Sequence, residues 1–265
     1  MVKKRPSNKF SLLIPVVLLV LAGLLFRAYQ EYKSSKLINL TRYTFINQNS
    51  LVSLDIKNKN KITINFPDDL YVDAAYGYGK LRFKNVYQVG ELDKRGEKVL
   101  AATISDLLGV PVSSSPFSYL DQLLIRFYEF NLRSDKIINL PLPTEELVLA
   151  DGTKVLTLDR NKWDFTYTDN FTEPDIVAED LKVEVLNAGE VLGLGNQAAR
   201  LLSHIGIDVV NVANLDIPIK DCEVKMVKPS KTALRIADIF GCKILNKDPG
   251  RADISLILRV LHPGE

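Results

Sequence analysis

The clearest pattern of apolar and polar positions lies between residues 181 and 212. Leu181, Val183 and Val185 alternate with Lys182 and Glu184, the period of a half-buried strand. Asn187, Ala188 and Gly189 interrupt it. The period then changes. Leu194, Ala198, Leu201, Leu202 and Ile205 recur at helical spacing and mark one apolar face. Gly206 stands where a helix ends in a left-handed residue, and a second strand follows over 207–212. Further on, the pattern predicts a strand over 222–227, a helix over 230–240 with Ser230 as its N-cap, and strands over 242–245 and 252–258. The order βαββαβ(β) predicts a compact two-layer α/β (α+β) sandwich over 181–265.

Upstream the pattern is weaker. Residues 51–55 and 61–66 read as two strands about the polar turn Lys57-Asn58-Lys59-Asn60, and Pro67-Asp68-Asp69 ends the second. The Tyr- and Gly-rich run 71–79 reads as a surface loop. Val99, Leu100, Thr103 and Leu107 predict a helix over 97–108, closed by Gly109 and Pro111. A second helix over 117–131 is led by Leu120, Leu123, Leu124 and Phe127. Asp151-Gly152 joins strands at 147–150 and 154–158 in a hairpin. Glu173-Pro174-Asp175 opens a short helix, with Pro174 in the first turn where its missing N–H costs nothing.

Residues 10–26 carry no charge. At ~1.5 Å per residue they just span a hydrocarbon core, and Arg27 can snorkel at the end. Lys3, Lys4, Arg5 and Lys9 precede the run with no acid among them, whereas Glu31 dilutes Arg27, Lys33 and Lys36 beyond it. The charge bias puts a basic N-terminus (1–9) in the cytoplasm, a transmembrane helix at 10–29, a stem at 30–40 and the rest of the chain outside the cell membrane. A cleaved signal peptide is the rival reading, but Leu and Phe crowd the end of the run and no small-x-small site follows.

Composition narrows the chemistry. The chain has 265 residues, 46% of them hydrophobic and 25% charged, with a net charge of +2. That balance gives no basic face for nucleic acid. Two histidines (His204, His262) and two cysteines (Cys222, Cys242) are too few and too scattered for a zinc site. Outside the membrane a Cys222–Cys242 disulfide is reasonable, and two separate thiols remain the alternative. Gly189, Gly193 and Gly195 lack the spacing of a dinucleotide loop and read as a tight turn with close packing. His204 reads as a helix-end dipole partner or a surface residue rather than a base. No nucleophile elbow, zinc-protease helix or Walker loop occurs.

Two regions resemble one bacterial envelope family. Val-Glu-Val-Leu-Asn-Ala-Gly (183–189), Gly-Leu-Gly-Asn-Gln-Ala-Ala-Arg-Leu-Leu (193–202), Ile-Gly-Ile-Asp-Val-Val-Asn-Val (205–212) and Ala-Asp-Ile-Ser-Leu-Ile-Leu (252–258) resemble the LytR C-terminal domain (LytR_C). Val-Ser-Leu-Asp (52–55), Pro-Asp-Asp-Leu-Tyr-Val (67–72), Tyr-Gly-Lys-Leu (78–81) and Leu-Leu-Gly-Val-Pro-Val (107–112) resemble a worn LytR–CpsA–Psr catalytic region. The resemblance implies a degenerate α/β domain over 41–180, with a hairpin connection to the LytR C-terminal-like domain at 181–265. It also implies transfer of lipid-pyrophosphate-linked glycopolymers onto peptidoglycan, with Arg and Asp side chains gripping pyrophosphate and Mg²⁺.

The departures argue against that transfer. The family's Arg-x-Asp falls near Phe45-Ile46-Asn47, and its Ile-Pro-Arg-Asp reads Phe66-Pro67-Asp68-Asp69. An anionic pyrophosphate needs fixed cations, and Asp68 in place of Arg repels it. The expectation is therefore a membrane-anchored, non-catalytic envelope protein, without a cofactor, that binds a cell-wall polymer or an envelope protein through the LytR_C-like domain. The alternative is a divergent glycopolymer transferase in which Asp69, Lys80 and Arg82 hold pyrophosphate and Mg²⁺. A purely structural scaffold is the third. Asp68, Asp69, Lys80 and Arg82 are the candidate ligand-binding residues, against the plainer readings of an exposed turn for the acids and a solvated strand edge for the bases.

Overall fold

The structure, a computed structural model, describes residues 9–35, 37, 40–114, 118–189, 191–216 and 219–259. Most of the expected basic N-terminus, Phe117 and His262 lie outside the described residues. In chain order the elements are α1 (Lys9–Ser34), β1 (Arg42–Asn47), β2 (Ser50–Asp55), β3 (Asn60–Asn65), β4 (Tyr71–Ala74), β5 (Gly79–Arg82), α2 (Phe83–Glu91) and α3 (Gly96–Leu108). Then come α4 (Tyr119–Phe130), β6 (Ile137–Asn139), β7 (Thr144–Val148), β8 (Lys154–Leu158), α5 (Arg160–Tyr167) and α6 (Pro174–Val177). The last stretch holds β9 (Lys182–Asn187), α7 (Leu194–His204), β10 (Asp208–Asn214), β11 (Glu223–Met226), α8 (Lys231–Phe240), β12 (Lys243–Asn246) and β13 (Ile254–Leu258). Two compact units result: Met1–Leu40 with Pro116–Asn131, and Thr41–Ser115 with Leu132–Glu265.

In the first unit, α1 is the one helix among the described residues long and apolar enough to cross a membrane, over Pro15–Lys33. It continues to Ser34, through much of the expected stem. Helix α4 starts where Ser118 Oγ accepts from the Asp121 N–H at 3.0 Å, a side-chain N-cap. Of its four leading apolar residues, Leu120 and Leu124 are half-buried, whereas Leu123 and Phe127 are exposed.

The second unit has two apolar cores. The upstream core gathers Leu51, Ile62 and Ile64 of the sheet, Val99, Ile104 and Leu108 of α3, and Trp163 of α5. Its sheet has the order β1-β2-β3-β6, with the first three strands antiparallel and β6 parallel to β3. Helix α2 and strand β6 are absent from the sequence reading, and three further parts differ from it. Strand β1 precedes the first strand read from the pattern, and its buried Arg42 pairs with Asp55 at 2.9 Å. Residues 71–79 form β4, a turn and the start of β5 instead of a loop. Val72 and Ala74 alternate inward as a strand requires, and Gly77 and Gly79, both at φ +79, make the turn between. Helix α5, absent from the sequence reading, buries Trp163 completely.

The downstream core packs Val183, Val185, Ala198, Leu202, Ile205, Val224, Ile236 and Leu256 against one another. Its sheet has the order β10-β9-β13-β11-β12. Strands β9 and β10 are parallel across α7, and β11 and β12 are parallel across α8. Strand β13 lies between these two parallel pairs, parallel to β9 and antiparallel to β11. Ser230 caps α8, with Oγ accepting from Ala233 N–H at 3.1 Å. Cys222 and Cys242, each just before a strand of this sheet, are disulfide-bonded with their Cα atoms 4.7 Å apart. Glu173, ahead of α6, takes a forked ion pair from Arg235 of α8, with contacts at 2.7, 2.9 and 3.1 Å. Burial pushes the Glu173 carboxyl up, and Arg235 pulls against it.

The two cores meet at the C-terminus of α3. Four carbonyls at a helix end lack intrahelical donors. Here Ser105 O accepts from Gly109 N–H (2.7 Å) and Leu108 O from the Trp163 indole (2.9 Å). Asp106 O and Leu107 O accept from Arg200 of α7, at 3.0 and 3.2 Å. The same guanidinium grips Asp164 through two further bonds of 2.6 and 2.8 Å. Gly109 sits at φ +67, and a Cβ there would lie 2.7 Å from His204 Nδ1. His204 is buried, not a surface residue, with Nε2 3.8 Å from Asp164.

Three outcomes test this arrangement. Arg200→Ala leaves two helix-end carbonyls and a carboxylate without their donors, and should lower the unfolding free energy by about 2–3 kcal/mol. Arg200→Lys should recover only part of that, because an ammonium lacks the fork. Trp163, the chain's single tryptophan, reports both in denaturant titrations. His204 supplies the pH dependence. Burial lowers its imidazole, Asp164 pulls it back up, Arg200 adds to the lowering, and the net shift is downward. The folded state therefore holds the proton less well than the unfolded chain. The resulting cost is absent well above the unfolded value of about 6.5 and grows as pH falls through it. His204→Gln should remove that component, so the difference in stability between the two proteins should change from about pH 7 to pH 5. Replacing Cys222 and Cys242 together by Ser should lower stability by ~3 kcal/mol, read in the same titrations, and the wild-type chain should take up alkylating reagent at both cysteines only after reduction.

Candidate binding site

The four candidate residues do not form one cluster. Asp68 is exposed, and its Oδ1 accepts from Asn49 Nδ2 at 2.8 Å, which braces the turn after β3. Its carbonyl accepts from the Lys84 N–H at 3.3 Å. Asp69 and Arg82 line one shallow recess of about 110 Å³ with Glu146, Lys154, Val155 and Leu156. The bridge between Leu70 and Leu156 brings the hairpin β7–β8 there. Glu146 and Lys154 pair across that hairpin at 3.0 Å. Two acids and two bases thus face one another, and the recess has no excess positive charge. Lys80 stands opposite Asp73 in the β4–β5 ribbon and does not line the recess.

A larger cavity, of about 390 Å³, opens beside β1 and α2. Phe45 and Ile46 line it, where the family resemblance puts an Arg-x-Asp motif. Its charged lining is Lys84 and Glu97, one of each sign, and Asn49, Tyr87, Gln88 and Ser113 supply neutral polar groups. Among the described residues, no group of three His, Cys, Asp or Glu side chains gathers in a way that holds a metal ion.

A more spacious cleft, of about 530 Å³, lies in the C-terminal sheet. Strand directions place it. Strands β11 and β12 are parallel, so the loops that leave them, Lys228-Pro229-Ser230 and Asp248-Pro249-Gly250, fall at one end of the sheet. Strand β13 runs against β11 and β9 runs with β13, so both of these strands begin at that same end. Leu181, Val227, Ala252 and Ile254 supply the apolar lining.

The acids of the cleft are already engaged. Glu179 accepts from Lys231 N–H, Thr232 N–H and Thr232 Oγ1 at 2.7–2.8 Å, and so caps the N-terminus of α8. Burial pushes its carboxyl up, but the Thr232 and Lys231 donors outweigh that and hold it below the usual range. Asp253 accepts from Lys182 N–H at 2.9 Å, and Asp248 from Gly250 N–H at 3.0 Å. The helix dipole is thereby answered from within the protein. The cleft offers an apolar floor with polar walls fixed by hydrogen bonds, and Lys228 adds one cation to its lining. Sequence reasoning missed these residues. The Lys-Pro-Ser and Asp-Pro-Gly segments stand in the sequence, but their convergence depends on β11 and β12 running parallel, and the strand starts join them there only because β13 is inserted between the two parallel pairs.

Comparison with curated proteins returns no match. Residues 180–260 match the family LytR_C, described as "LytR cell envelope-related transcriptional attenuator". Among solved structures, the chain is similar to the transcriptional regulator yvhJ from Bacillus subtilis at 14% identity, over 47% of this chain and 91% of that one, with a TM-score of 0.34. It is similar to B. subtilis TagV at 12% identity, over 63% and 97%, TM-score 0.37. It is also similar to the LytR-CPS2A-psr family protein YwtF (TagT), solved with bound octaprenyl pyrophosphate lipid, at 11% identity, over 63% and 91%, TM-score 0.36. At these identities and scores the likenesses carry no function across. By that family match, residues 180–260 are a LytR_C domain.

Proposed function

We propose that the chain is a single-pass membrane protein whose exported part binds a cell-wall polymer or an envelope partner through its LytR_C domain, without chemistry of its own. The observation that carries this reading is the cleft of about 530 Å³ in that domain, whose polar walls are fixed by hydrogen bonds to the backbone before any ligand arrives. Preorganised walls favour binding, because little ordering is left to oppose it. The apolar helix α1 supports the anchor. The basic residues ahead of it support an exported body. The Cys222–Cys242 disulfide fits an oxidising compartment.

A divergent glycopolymer transferase is the second reading, favoured by the meeting of Asp69 and Arg82 in one recess. The balanced charge of that recess and the separate position of Lys80 weigh against it.

The test is co-sedimentation of the detergent-solubilised full chain with purified cell-wall sacculi. The wild type should be retained. Ala252→Trp, which fills the cleft, should weaken retention by about tenfold, equivalent to ~1.4 kcal/mol. Retention that is absent, or unchanged in Ala252→Trp, would sink the reading. Binding of a pyrophosphate lipid that disappears in Asp69→Ala would replace it with the transferase.

A further inference from the structure

Helix α4 leaves an apolar stripe uncovered. Tyr119, Leu123, Phe127 and Phe130 recur every three or four residues, so they share one face. They are 71%, 64%, 70% and 89% exposed. Exposed aromatic residues in line on a water-facing helix are costly, at roughly 25 cal/mol per Å² of apolar surface left in water. An apolar face of this kind marks a site of contact with a partner or a lipid surface.

The start of the helix is tied to the end of α1. Asp121, in the first turn of α4, is buried, and its Oδ1 accepts from Ser35 Oγ at 2.6 Å and from the Leu37 N–H at 3.3 Å. Ser35 and Leu37 follow the C-terminal end of α1, whose candidate membrane span is Pro15–Lys33. The polar side of the first turn of α4 is therefore fixed to the end of α1. Asp121 and the stripe fall on opposite sides of the helix. Arg126, which is exposed, flanks the stripe and has the reach to meet lipid phosphates.

We infer that α4 lies in the headgroup layer of the same bilayer that α1 crosses, with Tyr119, Leu123, Phe127 and Phe130 turned into the boundary between headgroups and acyl chains. Aromatic side chains concentrate at that depth, and a helix with one apolar face lies along it. The occupant of the stripe is lipid, not a protein partner. The inference rests on the membrane-anchor part of the proposed function and not on polymer binding.

The test uses the full chain reconstituted in vesicles of phosphatidylcholine and phosphatidylglycerol. A nitroxide is attached in turn at Leu123→Cys, Phe127→Cys and Gln122→Cys, the native cysteines being held in their disulfide. Accessibility to oxygen, which favours lipid, is compared with accessibility to an aqueous nickel chelate. Labels at 123 and 127 should favour oxygen over nickel by roughly tenfold more than the label at 122, as for side chains sunk ~5–10 Å into the interface. Labels at 123 and 127 as open to nickel as the label at 122 would overturn the inference. So would labels immobilised and shielded from both reagents, which would mean a protein surface covers the stripe. A chain that fails to float with the vesicles would remove the anchor reading and this inference together.

Discussion

The last turn of α3 has to find donors for its carbonyls in a crowded place, and the way it does so decides how the second unit is built. Gly109 closes the helix with its own N–H, and the Trp163 indole supplies another donor. Two more come from one guanidinium, Arg200, on a helix that belongs to the C-terminal sheet. A positive charge at a helix C-terminus is favourable in itself, and Asp164 holds that charge in position. The LytR_C domain is therefore not joined to the upstream core by apolar burial alone. Its first helix completes a hydrogen-bond set that the upstream core cannot complete unaided. Glu173 and Arg235 do similar work on the connection, and Asp175, bonded to both Lys57 and Lys231, adds an outer tie. A buried ion pair with directional bonds specifies an orientation more sharply than it raises stability.

That orientation leaves one end of the C-terminal sheet free. Both parallel pairs deliver loops or strand starts to this end, and the acids found there are spent on capping α8 and on strand backbones. The cleft is consequently rigid in its polar parts and apolar in its floor. The upstream recess at Asp69 is the reverse: its charges are exposed side chains that answer one another, and little of it is fixed by backbone contacts.

The sequence was most legible where burial is one-sided and periodic. Strand β9, helix α7 and helix α8 were readable to within a residue or two, because Val183, Ala198, Leu202 and Ile236 repeat at the period of the element they occupy. It was least legible where aromatic and glycine content disguised a strand, as at Tyr71–Ala74, and where an isolated tryptophan carried a helix, as at Trp163. Burial of His204 was hidden for a different reason. Its neighbours Gly109 and Asp164 lie far from it in the chain, and no local pattern reports a contact of that kind. The cleft was illegible on the same ground, since strand order and direction are global properties.

The outer strand β10 carries one more consequence. Its pairing with β9 slips between Val209 and Asn211, so Val210 is a bulge in a strand at the sheet's margin. The opposite margin, β12, is only four residues long. An unbroken margin would present a row of free amides and carbonyls to any neighbour of the same kind. A kinked margin on one side and a short one on the other discourage ribbon-like growth between copies of the chain.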